Sequence, residues 1–281
     1  MREQAIAIGG AALLVTVCAA AGAAEAQTSL VIREAAARVV VLPEDRTDVS
    51  VTVNQPASAL PRIMQSRDGD RLILDGHIGR NVNCRSERGR PTQVTGDFGT
   101  VDAAQLPQIV ARVPRNAVVS AGPAVWGEIG RAQSATLNLA GCGDWFVAHV
   151  SGPLQVNAAG SGDVRTGNAQ SARVRVAGSG DVRVRTISGE FTADVAGSGD
   201  VRAEQTNGAM RVRVVGSGDV IVESGRAPEL SAQVAGSGDV RFDGRAERVT
   251  AQIAGSGNVT VRSAGSVTRA VVGSGRVNVG S

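Results

Sequence analysis

Six aspartates of this chain stand in one repeated context. Asp163, Asp181, Asp200, Asp219 and Asp239 each close a Gly-Ser-Gly-Asp tetrapeptide, and Asp144 closes the variant Gly141-Cys142-Gly143-Asp144. From Gly141 through Gly160, Gly178, Gly197, Gly216, Gly236 and Gly255 to Gly273, the intervals are 19, 18, 19, 19, 20, 19 and 18 residues. The last two units carry Asn258 and Arg276 in place of Asp. A residue that returns at so fixed an interval stacks into a row when each unit makes one turn of a coil. A row of carboxylates has three chemical readings. It can bind Ca²⁺, as in the β-rolls of repeat-in-toxin proteins; it can cleave polysaccharides by acid–base work; or it can accept main-chain hydrogen bonds at Gly-rich corners.

The spacing favours the third reading. The β-roll repeat is Gly-Gly-x-Gly-x-Asp, whereas here Asp follows the second Gly directly, and an Arg inside a calcium row would be costly. Polysaccharide-cleaving β-helices carry their carboxylates on long loops, for which coils of 18–20 residues have no room. We therefore expect Asp144, Asp163, Asp181, Asp200, Asp219 and Asp239 to form a corner ladder, each accepting N–H groups of its own corner. Neighbours ~4.8 Å apart would repel by about 1 kcal/mol in a water-like dielectric. Arg165, Arg183, Arg202 and Arg241, two residues after their Asp, supply opposite charge. No other catalytic set stands out. The two histidines, His77 and His149, lie in unrelated contexts, and Gly-Ser-Gly-Asp opens no helix, so it is not a phosphate loop and implies no cofactor.

The elements that carry this row must be strands. Each unit reads roughly Val-x-Val-Ala-Gly-Ser-Gly-Asp-Val-Arg-Val, and this alternation of period two, broken by Gly, excludes helices of useful length. Aligned on the first Gly, the fourth position after it is Val164, Val182, Val201, Val220, Val240, Val259 and Val277. Two before it stand Leu139, Ala158, Val176, Val195, Val214, Val234, Ile253 and Val271. Same-parity apolar columns stacked coil on coil make inner ladders, and the Arg, Asp, Gln and Asn between them face water. The fold class expected is all-β: a parallel β-helix (β-solenoid) of 18–20-residue coils. Extending the alignment back, Gly122 lies 19 residues before Gly141, which puts Trp126 in the column of Trp145 and Val164. Such a pair closes a wide first turn or offers a sugar-stacking surface.

Residues 1–26 read as an export signal: Arg2, the apolar run Ala5–Ala24, then Ala24-Glu25-Ala26 before Gln27. Cys18 raises lipidation as an alternative, with Val17 where a lipoprotein signal has a smaller residue. Residues 27–115 read as degenerate coils or a less regular N-terminal β cap, continuous with the solenoid, and 116–281 as the repeat region. Strand candidates in the cap are Leu30–Arg33, Arg38–Leu42, Val49–Val53, Arg71–Leu74 and Gln108–Val113. Two cysteines survive removal of the signal, and in an oxidising compartment an even count reads as one disulfide, Cys84–Cys142.

Composition agrees with an extracytoplasmic β protein: 36 Gly for tight corners, 4 Phe, 2 Trp and no Tyr. All 29 basic side chains are Arg, yet the net charge is only +3 and no basic block with interleaved aromatics occurs, which speaks against nucleic-acid binding. Outward positions including Arg173, Arg175, Arg183, Arg185, Arg211 and Arg213 would form either a solvated face of Arg–Asp pairs or a stripe for an anionic glycan. Past the signal, no stretch is apolar enough to span a bilayer as a helix.

The repeated Ala-Gly-Ser-Gly-Asp-Val, the strand Ile109-Val110-Ala111-Arg112-Val113-Pro114 and the export signal together resemble the head GIN domain family, whose name refers to auto-transporter adhesins. The resemblance spans roughly residues 30–280. It implies a right-handed parallel β-helix in exported bacterial proteins, and it supplies no catalytic residues. The chain departs from an auto-transporter in having no region that would form a translocating barrel. The expected function is a non-enzymatic, exported binding module of the cell envelope, in the periplasm or on the surface, with an envelope glycan or cell-surface protein as partner. The alternatives are a periplasmic scaffold without a dedicated ligand, and a calcium-binding or polysaccharide-active β-helix.

Overall fold

The computed structural model describes residues 28–87 and 90–280; the segment read from the sequence as an export signal, with Cys18, lies outside them. Among the described residues there is no α-helix, only one 3-10 turn at Ala103–Gln105. No helix among the described residues is long and apolar enough to cross a membrane. The strands stack as a parallel β-solenoid of about 9 coils.

The repeating coil is short and regular. A strand of seven or eight residues ends in the Gly-Ser-Gly-Asp corner, a shorter strand follows, and a polar turn leads to the next coil. Pro153–Gly160 with Val164–Thr166, Ser171–Gly178 with Val182–Ile187, and Phe191–Gly197 with Val201–Thr206 are successive examples. The expected columns pair residue for residue. Leu139 stands beside Ala158, then Val176, Val195, Val214, Val234, Ile253 and Val271. Val164 through Val277 form the second ladder. Up to Val259 these side chains are buried in one continuous core. Burial of one such Val is worth ~1.5–3 kcal/mol, and the core lengthens by repetition rather than thickening.

The corner glycines explain why the motif is so constrained. The first Gly of each unit, Gly141 to Gly273, has φ between +119° and +147°. A Cβ there would overlap the carbonyl oxygen of the residue stacked beneath, which for Gly160 is Gly141. That carbonyl already accepts two N–H groups of the next coil: Ser161 and Gly162 donate to Gly141 at 2.9 and 3.1 Å. The same pair of bonds recurs from Ser179 and Gly180 up to Ser274 and Gly275. Differences in coil length are absorbed elsewhere. Gly216, Gly236, Gly255 and Gly273 stay in register although their intervals are 20, 19 and 18 residues. The slip falls after the short strand, between Phe242 and Arg245.

The N-terminal part is built differently from a simple cap. In chain order it contains β1 (Ser29–Glu44), β2 (Ser50–Asn54), β3 (Met64–Asp68), β4 (Arg71–Asp75), β5 (Asn83–Glu87), β6 (Arg90–Gly96), β7 (Gly99–Asp102), β8 (Gln108–Pro114) and β9 (Asn116–Ile129). β1 lies inside the stack, parallel to β9 on one side and to β4 and β8 on the other. Its two halves are the candidates Leu30–Arg33 and Arg38–Leu42, joined in one strand with an irregularity between Ile32 and Ala35. β2 and β3 run antiparallel to β8 and β4 and cover that end. Their exposed residues Gln65, Arg67 and Asp68 give a polar edge that resists further strand pairing. Between β4 and β8 the chain inserts an antiparallel sheet, β5–β6–β7. It packs over the outer wall of the solenoid, where Ala36, Ala124 and Trp126 meet Val94, Val101 and Leu106 in a second apolar cluster.

One core position is mismatched. Thr206 is fully buried between Ile187 and Gly225, and its hydroxyl has no hydrogen-bond partner among the described residues. Thr206→Val keeps the shape and removes the orphaned group, so it should stabilise by about 1–2 kcal/mol. In a chain of this size that is a rise of about 2–6 °C in Tm by calorimetry.

Candidate functional site

The six aspartates do form a row, with a different donor from the one expected. Each carboxylate accepts the main-chain N–H of the Asp in the next coil, not of its own corner. Asp163 N–H donates to Asp144 Oδ1 at 2.8 Å, Asp181 to Asp163 at 3.0 Å, and Asp200 to Asp181 at 2.9 Å. Asp219 and Asp239 continue the pattern at 2.9 and 2.8 Å. At its far end Asn258 gives both its main-chain N–H and its amide Nδ2 to Asp239 Oδ1. Asn therefore fits where Asp would add another like charge. The arginines help less uniformly than expected. Arg165 approaches Asp163 at 3.5 Å and Arg202 approaches Asp200 at 3.8 Å, while Arg241 pairs with Asp243 instead. Among the described residues Arg183 makes no ion pair. No group of three or more His, Cys, Asp or Glu among them is placed to hold a metal ion.

Trp126 does not occupy the column of Trp145. Trp145 pairs with Gly127, and its ring takes the space that a side chain at Gly127 would fill. The periodic alignment is one residue out here because Gly141 stacks on Pro123, not on Gly122. Adjacent residues of a strand face opposite ways. Trp126 therefore points outward, in line with Asp144, and is covered by the inserted sheet, where its indole N–H donates to Ser86 Oγ at 3.3 Å. Trp145 points into the core. The two tryptophans thus lie on opposite sides of one wall.

Where the inserted sheet meets that wall a cleft of about 430 Å³ opens. The outward side chains of Trp126 and Phe146 border it, while the ring of Trp145 lies behind the wall in the core. Phe146 is 51% exposed. Arg38, Arg90 and Arg165 reach its edges, with Glu128 and Asp144 between them. Neither Arg38 nor Arg90 makes an ion pair among the described residues. Phe146 stands between Glu128 and Arg165 on neighbouring strands, and Arg183 and Arg202 continue its row. One wall of the cleft is β6 of the inserted sheet, which the Cys84–Cys142 disulfide ties to the first corner. Burial pushes the Asp144 carboxyl above its ordinary range, and the Asp163 charge adds to this. The Asp163 N–H and Arg165 pull the other way.

The other outward arginines divide between two faces. Arg173, Arg175, Arg211 and Arg213 lie on the long strands, Arg183 and Arg185 on the short-strand side. Several are paired: Arg175 with Asp194 at 3.6 Å, Arg185 with Glu204 at 3.6 Å, Arg211 with Glu190 at 2.8 Å. The histidines stay apart from the cleft. His77 follows β4 and donates its main-chain N–H to Asp75 Oδ1 at 3.0 Å, while His149 is exposed in a turn after Trp145–Val147.

Two outcomes follow from this geometry. Because the folded protein holds the Asp144 proton more tightly than the unfolded chain, this group's contribution to stability is present in acid and is lost as pH rises through the folded pKa, which lies above 3.8. Asp144→Asn keeps the acceptor for Asp163 and should raise the neutral-pH Tm, whereas Asp144→Ala leaves that N–H unpaired and should cost about 1–3 kcal/mol. Thermal melts at pH 4 and pH 7 compare them. Reducing the disulfide opens a loop spanning 58 residues. The expected loss is about 4 kcal/mol, read as a lower denaturation midpoint for the Cys84→Ser/Cys142→Ser variant.

No curated protein matches this chain. Residues 186–280 match the family model described as putative auto-transporter adhesin, head GIN domain.

Proposed function

We propose that this chain is an exported, non-enzymatic binding module of the cell envelope. The observation that carries this reading is the cleft beside the inserted sheet, where exposed Phe146 and unpaired Arg38 and Arg90 gather on an otherwise regular rod. An exposed aromatic among polar groups of both signs, on a rigid wall, is a recognition surface rather than a packing feature. The match to an adhesin head family at residues 186–280 supports a binding role, and the Cys84–Cys142 bond supports export to an oxidising compartment. The aspartates are engaged by main-chain N–H groups along the row, which supports a structural role for them rather than acid–base work.

Surface display is the test. In a bacterium with an outer envelope, a C-terminally tagged protein should be reached by antibody and by added protease on intact cells. Protection until the envelope is permeabilised would replace the adhesive role with that of a periplasmic module.

A further inference from the structure

We propose that the cleft takes an acidic sugar: the ring lies against Phe146 and its carboxylate is held by Arg38, Arg90 and Arg165. The inference deepens the binding role above and rests on it. Sugars combine an apolar C–H face with hydroxyls that both donate and accept. They are held by an aromatic surface together with planar polar side chains that bond two neighbouring hydroxyls at once. The cleft has each component within one small space: the half-exposed Phe146, and the planar groups of Gln108, Glu128 and Asp144. Three guanidiniums against two carboxyls leave a positive balance, and burial disfavours the charged form of Asp144, which widens it. Arg38 and Arg90, with no acidic partner among the described residues, are free to take a carboxylate by the two-pronged contact that guanidinium geometry permits.

The solenoid also indicates a chain rather than a single sugar. Beyond Phe146 the same outward row carries Arg165, Arg183 and Arg202 in register. Parallel strands set these guanidiniums roughly 4.8 Å apart along the axis. Their partners are distant or missing: Arg165 and Arg202 meet Asp at 3.5 and 3.8 Å, exposed pairs worth at most about 1 kcal/mol. A polymer with one carboxylate per ring, laid along the rod, would enter the cleft at one end and meet Arg183 and Arg202 on the next two coils, before Ile221 interrupts the row. A peptide polyanion would satisfy the row equally but has no ring for Phe146.

The test is calorimetric titration of the full exported chain with oligogalacturonate. Its fully methyl-esterified form and poly-glutamate serve as comparisons. The acid should bind, and esterification should weaken it roughly tenfold or more, because the carboxylate contacts are lost. Phe146→Ala at an exposed position and Arg38→Ala at a half-buried one should each weaken binding by a similar factor, Phe146→Ala with unchanged Tm. Arg213→Ala on the long-strand face should leave binding as it was. No binding of the acid, equal binding of the ester or of poly-glutamate, or equal affinity in Phe146→Ala would each overturn the proposal. Surface display is read separately. A displayed protein that ignores the acid loses this inference alone, and one that binds it but stays sheltered loses only the adhesive role.

Discussion

Everything in this molecule depends on one main-chain contact. At each corner a glycine carbonyl receives two N–H groups from the coil above, and the glycine above it sits too close to carry a Cβ. That approach fixes the coil-to-coil register at a point where no side chain intervenes. Its consequences spread outward along both strands. Once the corners are stacked, residues two before and four after the glycine must fall in columns, and small or β-branched side chains fill them. The aspartate that ends the motif reinforces the contact by accepting an N–H from the next corner. A carboxylate row that would be repulsive in isolation is thereby threaded with donors, and Asn258 closes it without a further charge.

Much of this was legible in the sequence because a solenoid writes its contacts at a constant offset. Any two residues one period apart are neighbours, so the columns from Leu139 to Val271 and from Val164 to Val277 could be read from the sequence alone. The same logic misled where the period changes character. Gly122 looks like the corner of the preceding unit, but the residue beneath Gly141 is Pro123, and a slip of one position moves Trp126 from the inside of the wall to the outside. A one-residue error is harmless in a loop and inverts every side chain in a strand. The donor to each carboxylate was also hidden, since the sequence shows that an Asp follows two glycines but not which coil its side chain leans toward.

The inserted sheet was the hardest part to foresee. Its strands are largely polar, and the buried residues Val94 of β6 and Val101 of β7 pack against the outside of the solenoid, a surface that the repeat pattern marks as solvent-facing. Cys84 was the one signal of its position, because a bridge to Cys142 requires the insert to lie over the first corner. The cleft arises from that placement. A regular solenoid offers only flat walls, and concavity appears where a second layer breaks the repetition. Rigid stacking thus supplies the platform, and the exception to it supplies the candidate site.

The location of the register slip after the short strand sets how such a chain can change length. Coils of 18 to 20 residues keep their corners aligned because extra residues are taken up where the chain turns after the short strand, in one instance as an irregularity between Phe242 and Arg245 inside the strand Val240–Gly255. Small insertions in that turn are therefore nearly silent, while one at the corner would throw every later column out of phase. Whole-coil duplications meet neither obstacle. The rod can grow or shrink in evolution by units of one turn, and the cleft at its N-terminal end would keep its shape throughout.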